Sequence, residues 1–375
     1  MNLELNLIKD KRVFLEFIKK EIVLIIAITL AIGTSFISLP KLEYIDFKVI
    51  ILLLNLMVVV AGFKELQVLD SIATSLLKRC TSFKAITCTL VFLTFFSAMI
   101  VTNDVALITF VPLTLIIGKK ANIKPLKLIV FQTLAANLGS ALTPMGNPQN
   151  LFIYSYFNVN IMEFFKITFP LVLLSVVFLS LITMNEKKEE LYFQVENIKI
   201  ENNRDIIIYS VLFFITLLSV FHLIDYRIAF IITIIAIMIF NKKLFKKVDY
   251  SLLITFVAFF IFIGNISSMS VIKDFMVNIL SSEKSTFISS IISSQFISNV
   301  PATMLISAFT PYYKELLLGV NIGGLGTIIA SLASVISYKL YINEYPKDGT
   351  DYMKKFTTYN VLGLVIIGAI IYFFI

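Results

Sequence analysis

The stretch Asn137-Leu-Gly-Ser-Ala-Leu-Thr-Pro-Met-Gly-Asn-Pro-Gln-Asn-Leu151 interrupts an apolar segment that is long enough to cross a bilayer. Two glycines, two prolines and a series of amide and hydroxyl side chains break the helical pattern within it. An unpaired backbone group in lipid is costly, so a broken helix is tolerated only where it lines a cavity walled by protein or filled with water. The stretch therefore predicts a break, at a binding site, in a membrane-spanning helix.

A second interruption repeats the first in the other half of the chain. The stretch Asn321-Ile-Gly-Gly-Leu-Gly-Thr-Ile-Ile-Ala-Ser331 aligns with Asn137–Asn147 without gaps. Either stretch alone would be interpreted as an ordinary helix kink. The shared Asn-x-Gly-x-x-x-Thr spacing at matching places instead favours a pair of breaks that serve one site. The aligned pairs are Asn137 with Asn321, Gly139 with Gly323, Thr143 with Thr327, and Asn147 with Ser331.

The composition indicates an integral membrane protein. Of 375 residues, 58% are hydrophobic and 15% are charged, and the mean hydropathy is +0.91. Soluble domains contain about 45–50% apolar and about 25% charged residues. The apolar runs approach the length of a spanning helix and do not alternate with period two, which favours a helical bundle over a barrel. The net charge is +8, but most of the Lys and Arg residues fall in segments predicted to be cytoplasmic, as the positive-inside rule describes, so no nucleic acid partner is expected.

Two polar tips lie within apolar segments of double length. The segment Phe83–Ile117 surrounds Thr102-Asn103-Asp104 and has basic clusters at both ends. Both ends are therefore predicted to be cytoplasmic, and the segment to be a re-entrant hairpin. The segment Thr286–Phe309 surrounds Ser298-Asn299-Val300, and its flanks carry a single lysine each. This second hairpin is predicted to enter from outside.

These features predict an all-α polytopic membrane protein, an inverted repeat with two re-entrant hairpins and two broken transmembrane helices. Residues 1–184 form the first repeat with an N-terminal cytoplasmic segment, 185–205 a cytoplasmic loop, and 206–375 the second, inverted repeat. The chain is placed in the plasma (inner) membrane with a cytoplasmic N-terminus and an outside C-terminus. The broken crossings are Leu126–Phe157 and Leu316–Ser337, and the surface helices are Lys64–Arg79 and Ser267–Leu280. For Lys64–Arg79, an amphipathic connector packed on its neighbours is the alternative. The spans are Ile22–Ile37, Phe47–Gly62, Phe164–Thr183, Ile206–Leu223, Ile228–Phe240, Leu252–Asn265 and Phe356–Ile375.

The inverted symmetry predicts that both tips and both breaks meet near the bilayer centre. Helix N-termini that follow the breaks suit an anion, because they present unpaired N–H groups and partial positive charge. Unwound carbonyls and Asn, Ser or Thr oxygens suit Na⁺. Asn103 and Asn299 could also act as N-caps of the returning hairpin limbs, and capping is compatible with binding.

Asp104 is the only carboxylate predicted to lie deep in the membrane, and Val300 takes the matching place in the other tip. Such a carboxylate is a functional candidate by default, here for coupling to a proton or cation. A water-facing N-cap is the alternative. Cys80 and Cys88 are interpreted as small buried residues, and His222 as a surface residue.

At these tips and breaks the sequence resembles the ion transporter superfamily, which contains divalent anion–sodium symporters, arsenite permeases and sodium/proton antiporters. The resemblance covers nearly the whole chain, and its pattern is a polar tip followed by a Gly-Thr-rich break in each half. It implies that Asn103 with Gly139–Thr143 borders one cation site, and that Asn299 with Gly323–Thr327 borders its partner. It implies that the hydroxyls of Thr102 and Ser298 contact the anion, and it implies a homodimer with elevator-type movement.

The residue pattern and the resemblance together predict two overlapping sets of ligand contacts. Aspartate and valine replace a tip hydroxyl that dicarboxylate symporters carry, so the substrate class is left as a carboxylate or oxyanion. The substrate contacts are predicted at Thr102, Asn103, Asp104, Thr143, Pro144, Asn147, Ser298, Asn299 and Thr327. The cation contacts are predicted at Asn103, Gly139, Ser140, Thr143, Asn299, Gly323, Gly324 and Thr327.

The sequence therefore predicts a secondary active transporter of a small anion, coupled to Na⁺ or H⁺, with no cofactor and no metal beyond a possible Na⁺. The alternative within transport is an arsenite permease or a Na⁺/H⁺ antiporter. A membrane-embedded enzyme would need a nucleophile with a base, or a metal set, and neither pattern is evident. A channel is the other remote alternative. The sequence shows no Walker motif, so no ATPase activity of its own is expected.

Overall fold

The structure is a computed structural model that describes residues 21–186, 188–190, 198 and 203–375. All the regular secondary-structure elements within these residues are helices, so the predicted all-helical polytopic architecture is confirmed. The predicted N-terminal cytoplasmic segment, residues 1–20, lies outside the described residues, as does much of the loop 185–205.

The helices of the first half alternate between long apolar segments and short connecting ones. Their positions agree with the predicted spans, hairpin limbs and broken crossing. They are α1 Ile22–Ser35, α2 Phe47–Glu65, α3 Val68–Leu77, α4 Phe83–Ala98, α5 Asn103–Lys120, α6 Leu126–Gly139, α7 Pro148–Tyr156 and α8 Ile161–Met184.

The second half contains a similar order of helices, which begins with one additional long helix. They are α9 Asn203–Val220, α10 Tyr226–Phe240, α11 Tyr250–Ser267, α12 Ser270–Ile279, α13 Glu283–Ile297, α14 Asn299–Ser307, α15 Tyr313–Gly323, α16 Leu332–Glu344 and α17 Gly349–Phe374. Short 3₁₀ turns lie at Leu42–Tyr44, Ser140–Leu142, Lys242–Lys247, Ile328–Ala330 and Pro346–Asp348.

Among the described residues, five helical segments are long and apolar enough to cross a membrane by themselves. They are Phe47–Glu65, Ile161–Met184, Asn203–Val220, Tyr250–Ser267 and Pro346–Phe374. Helices α1 and α10 are apolar but shorter, at 14 and 15 residues. Their outer faces carry large exposed apolar side chains such as Ile26, Ile32 and Ile235, as expected of surfaces that contact lipid.

Helix packing divides the buried apolar side chains into two clusters. Phe95, Phe110 and Phe131 lie in the first, which joins α4, α5 and α6 to α8 and α17. Phe152 and Phe256 lie in the second, which joins α1, α2 and α11 to α7 and α14. Because α6 belongs to the first cluster and α7 to the second, the first helix break lies at the boundary between the two.

Contacts between the halves are reciprocal. The returning limb α5 of the first hairpin packs on α16, and the returning limb α14 of the second hairpin packs on α7. Within each half, the leading limb packs on the helix before the break, α4 on α6 and α13 on α15. Each break is therefore enclosed by its own hairpin and by the hairpin of the other half.

Candidate functional site

Both hairpins reverse direction at a residue with positive φ. Thr102 has φ +105° and Ser298 has φ +74°, and each directly precedes the asparagine that begins the returning helix. Positive φ in a non-glycine residue is uncommon and is concentrated at functional sites. The N-cap residues are thus Thr102 and Ser298. The alternative in which Asn103, Asn299 or Asp104 caps the helix is wrong, because these residues already lie inside it.

The breaks place glycine where a hairpin limb comes close. Helix α6 ends at Gly139, and a Cβ there would lie 2.2 Å from the carbonyl oxygen of Phe95. Helix α15 ends at Gly323, where a Cβ would lie 2.7 Å from Ser294 Oγ. Only glycine permits this approach without displacement of the limb. The equivalent glycines thus bring each break against the leading limb of its own hairpin.

Equivalent threonines attach each break to its hairpin. Thr143 Oγ1 donates to the carbonyl of Met99 at 2.5 Å, and Thr327 Oγ1 donates to the carbonyl of Gln295 at 3.0 Å. Met99 and Gln295 each lie four residues before the asparagine of their tip. The aligned threonines therefore form the same hydrogen bond in both halves.

Asn137 connects the first break to the second. Its Nδ2 donates to Ser334 Oγ at 3.2 Å and to the carbonyl of Gly324 at 3.4 Å. Its Oδ1 accepts from Ser331 Oγ at 3.0 Å and from Asn103 Nδ2 at 3.3 Å. Both N–H bonds of the Asn137 amide donate hydrogen bonds, and both lone pairs of its oxygen accept them. It therefore holds neighbouring groups in place and has no capacity left for a ligand.

Asn321 makes the reciprocal connection. Its Nδ2 donates to Asn150 Oδ1 at 2.7 Å and to the carbonyl of Leu317 at 2.8 Å, and its Oδ1 accepts from Asn147 Nδ2 at 3.1 Å. Asn147 also caps α7 by accepting the N–H of Asn150 at 2.9 Å. In the gapless alignment, Asn137 pairs with Asn321, Asn147 with Ser331, and Asn150 with Ser334. Asn137 thus contacts Ser331 and Ser334, and Asn321 contacts their equivalents, Asn147 and Asn150.

A cavity of about 450 Å³ ends at the first tip and the first break. Helix α2 forms its opposite wall through Leu53, Met57 and Val60. Such a volume is within the usual range of small-molecule sites. The half-buried Asp104 lines the cavity, and it forms no ion pair within the part of the chain that the structure describes. The polar lining residues are Lys64, Glu65, Thr102, Asp104, Asn147, Lys247 and Asp249.

The predicted site residues therefore fall into two groups. The structure brings Thr102, Asp104 and Asn147 to one cavity, with Asn103 bonded directly behind them to Asn137. Ser298 and Asn299 do not line this cavity and lie buried at the second tip, and Thr327 is exposed. Of the remaining predicted residues, Gly139, Ser140, Thr143, Pro144, Gly323 and Gly324 belong to the breaks.

Some residues of the site were not predicted. Asn150 and Ser334 lie three positions beyond Asn147 and Ser331 in the same gapless alignment, so the alignment could have identified them. No sequence pattern links the charged residues Lys64, Glu65 and Asp249 to the site, since they lie at helix ends that are distant in sequence from the tips and breaks. Lys247 also lines the cavity, and its Nζ pairs with Glu65 Oε2 at 2.9 Å.

An all-helical membrane protein in which a helix break lines a partly charged cavity is typical of membrane transporters. Comparison with known proteins gives the same class. The chain belongs to the citrate transporter (CitMHS) family, whose model matches residues 11–312. The resemblance to the ion transporter superfamily is thereby confirmed.

Relatives in other organisms are also named as transporters or membrane proteins. An uncharacterized transporter of Methanocaldococcus jannaschii is 35% identical over 334 residues, which cover 88% of this chain and 90% of the relative. The inner membrane protein YbiR of Escherichia coli is 26% identical over 325 residues, 85% of this chain and 87% of the relative. A putative transporter arsB of Dictyostelium discoideum is 27% identical over 124 residues, 33% of this chain and 22% of the relative.

Proposed function

We propose that the protein is a secondary active transporter of a small carboxylate or oxyanion, coupled to H⁺ or Na⁺, that works by alternating access. The observation that carries the proposal is the cavity that ends at Thr102, Asp104 and Asn147, beside a helix break. The N-terminus of α5 offers partial positive charge to an anion there. Lys64 lines the same cavity, and Lys247 is already paired with Glu65.

Asp104 supplies the reason for coupling. An anion bound near an ionised carboxylate is repelled, more strongly in a cavity of low dielectric than in water. Binding of a proton to Asp104, or of Na⁺ beside it, removes this repulsion. Substrate and coupling ion would therefore bind together, as a symporter requires.

The inverted repeat is the proposed architectural basis of alternating access. The reciprocal amide contacts of Asn137 and Asn321, the two tip residues with positive φ and the two threonine hydrogen bonds support it. In this proposal the first half is cytoplasmic at Lys120, the second half is outside at Lys284, the N-terminus is cytoplasmic and the C-terminus is outside. Elevator movement of the hairpins and breaks against α2, and assembly as a homodimer, follow from the family resemblance.

Uptake by proteoliposomes that contain the purified chain tests the proposal. Radiolabelled citrate and arsenite are offered with an inward Na⁺ gradient, with an inward proton gradient, and with neither. The proposal predicts saturable uptake of one oxyacid that depends on one of the gradients. Proton-driven extrusion of arsenite, or exchange of Na⁺ for H⁺ without any oxyacid, would favour the arsenite permease or antiporter that Asp104 also suits. Flux that rises linearly with concentration would indicate a channel.

A further inference from the structure

The cavity beside the first break has a buried end and an exposed end. Val101 and Asn147, at the tip and the break, are buried. The other end carries four charged residues that are exposed, which are Lys64, Glu65, Lys247 and Asp249. Along α2 the lining runs from Leu53 to Lys64, roughly 16 Å of helix at 1.5 Å per residue. An anion that reaches the tip must therefore first pass these four residues, which we call the mouth.

The charged residues of the mouth differ in their partners. Lys247 Nζ pairs with Glu65 Oε2 at 2.9 Å, and Asn241 Nδ2 donates to Glu65 Oε1 at 3.3 Å. Asp249 caps the N-terminus of α11. Lys64 forms no ion pair within the described part of the chain. Its ammonium group is therefore the cation at the mouth that remains available to an entering anion.

The charge of Lys64 acts at the mouth and not at the tip. Asp70 and Lys247 are the charged side chains that influence the Lys64 ammonium. The carboxylate of Asp104 at the tip is influenced by Asp249, but not by Lys64. A lysine at the end of a spanning helix commonly serves only as an anchor at the membrane surface. Lys64 differs from such an anchor because its side chain lines the cavity that leads to the tip.

We propose that Lys64 forms an entry subsite for a carboxylate or other oxyanion, which binds there before it moves to the tip, and that Glu65 weakens this subsite by neutralising Lys247. The inference rests on the proposed function and adds a second anion contact to it. Removal of the Lys64 charge should weaken the attraction of anions into the cavity. Removal of the Glu65 charge should strengthen that attraction, because the charge of Lys247 is then no longer balanced. A lysine that only anchors α2 predicts neither change.

The test measures the electrostatic potential inside the cavity. Ile108 lines the cavity one helical turn from Asp104, so Ile108→Cys is introduced into the full-length chain with Cys80 and Cys88 replaced. The purified protein in detergent is treated with a methanethiosulfonate reagent that carries either a sulfonate or a trimethylammonium group. The readout is the rate of thiol modification by the anionic reagent divided by the rate for the cationic reagent.

The variants change this ratio in opposite directions. Lys64→Gln should lower it by roughly three- to tenfold, whereas Lys64→Arg should preserve it. Glu65→Gln should raise it. The matched control is Lys246→Gln, because Lys246 is an exposed lysine of the same turn, Lys242–Lys247, and does not line the cavity. It should leave the ratio unchanged. High salt should weaken the effect of Lys64, since exposed charges are screened.

Three results would overturn the inference. Equal ratios in Lys64→Gln, Lys64→Arg and Lys246→Gln would leave Lys64 as a membrane anchor. A ratio that falls or stays constant in Glu65→Gln would contradict the role of Glu65. A thiol that reacts with neither reagent would show that the mouth does not lead to Ile108.

The experiment separates the subsite from the proposed function, because no transport substrate enters it. An unaltered protein that transports no oxyacid would reject the proposed function, while the change of ratio in Lys64→Gln would still assign the anion subsite. Where an oxyacid is transported, Lys64→Gln should raise its KM and leave the maximal rate unchanged, and Lys64→Arg should restore the KM.

Discussion

Asn137 and Asn321 occupy equivalent positions in two aligned helix breaks, and each donates its side-chain amide across to the other half. Asn137 Nδ2 lies 3.2 Å from Ser334 Oγ, and Asn321 Nδ2 lies 2.7 Å from Asn150 Oδ1. Since Asn150 and Ser334 are themselves equivalent, one contact repeats the other under the pseudo-symmetry. The two breaks are thereby held together as a single unit.

Asn137→Ala should destabilise the protein by about 2–3 kcal/mol, because it leaves several buried partners without hydrogen bonds. Asn321→Ala should do the same. The measurement is thermal unfolding in detergent. Asn360→Ala is the matched control, since the amide nitrogen of buried Asn360 bonds to the Phe356 carbonyl of its own helix. Equal losses of Tm in all three variants would show that the contacts between the breaks carry no special weight.

Gly139→Ala should destabilise by about 1–3 kcal/mol, the usual cost of forcing extra volume into a packed site. Its Cβ would lie 2.2 Å from the Phe95 carbonyl, which belongs to a helix backbone and cannot move freely. Gly33→Ala is the control, because a Cβ there meets nothing within 4 Å. Thermal unfolding of both variants checks the prediction, which fails if Gly139→Ala is as stable as Gly33→Ala.

Asn103→Ala and Asn299→Ala should each abolish gradient-driven uptake and leave expression intact. Asn103 anchors the first tip to Asn137, and the side chain of Asn299 has only a 3.5 Å contact with Ser298 Oγ among the hydrogen bonds of the described residues. Uptake in proteoliposomes is compared at matched protein content. Unchanged transport by both variants would remove the tips from the mechanism.

Asp104→Asn should make transport independent of pH. If protonated Asp104 admits the anion, uptake by the unaltered protein falls as pH rises and the carboxylate ionises, whereas an amide stays neutral throughout. Asp249→Asn is the control, because Asp249 lines the same cavity while its carboxylate caps α11 through the N–H of Leu252. A pH profile that persists in Asp104→Asn would reject the coupling role.

The sequence predicted the helices, the tips and the breaks well, because glycine, proline and polar residues inside apolar segments have few structural explanations. It also identified Asn137 and Asn321 as equivalent positions in the two breaks. It could not reveal which amides are already satisfied within the protein, since that depends on side-chain direction in three dimensions. For the same reason Gln295 was missed. Its position matches Met99, but only the folded break shows that its amide reaches Gly323 and Thr327.

The central claim is that two halves of opposite orientation combine their tips and breaks into one carrier site. The most direct test labels single cysteines at Lys120→Cys and Lys284→Cys, in a background where Cys80 and Cys88 are replaced, with a membrane-impermeant maleimide. The claim predicts labelling of position 284 in intact cells, and of position 120 only after permeabilisation. Labelling of both positions from the same side of the membrane would contradict it.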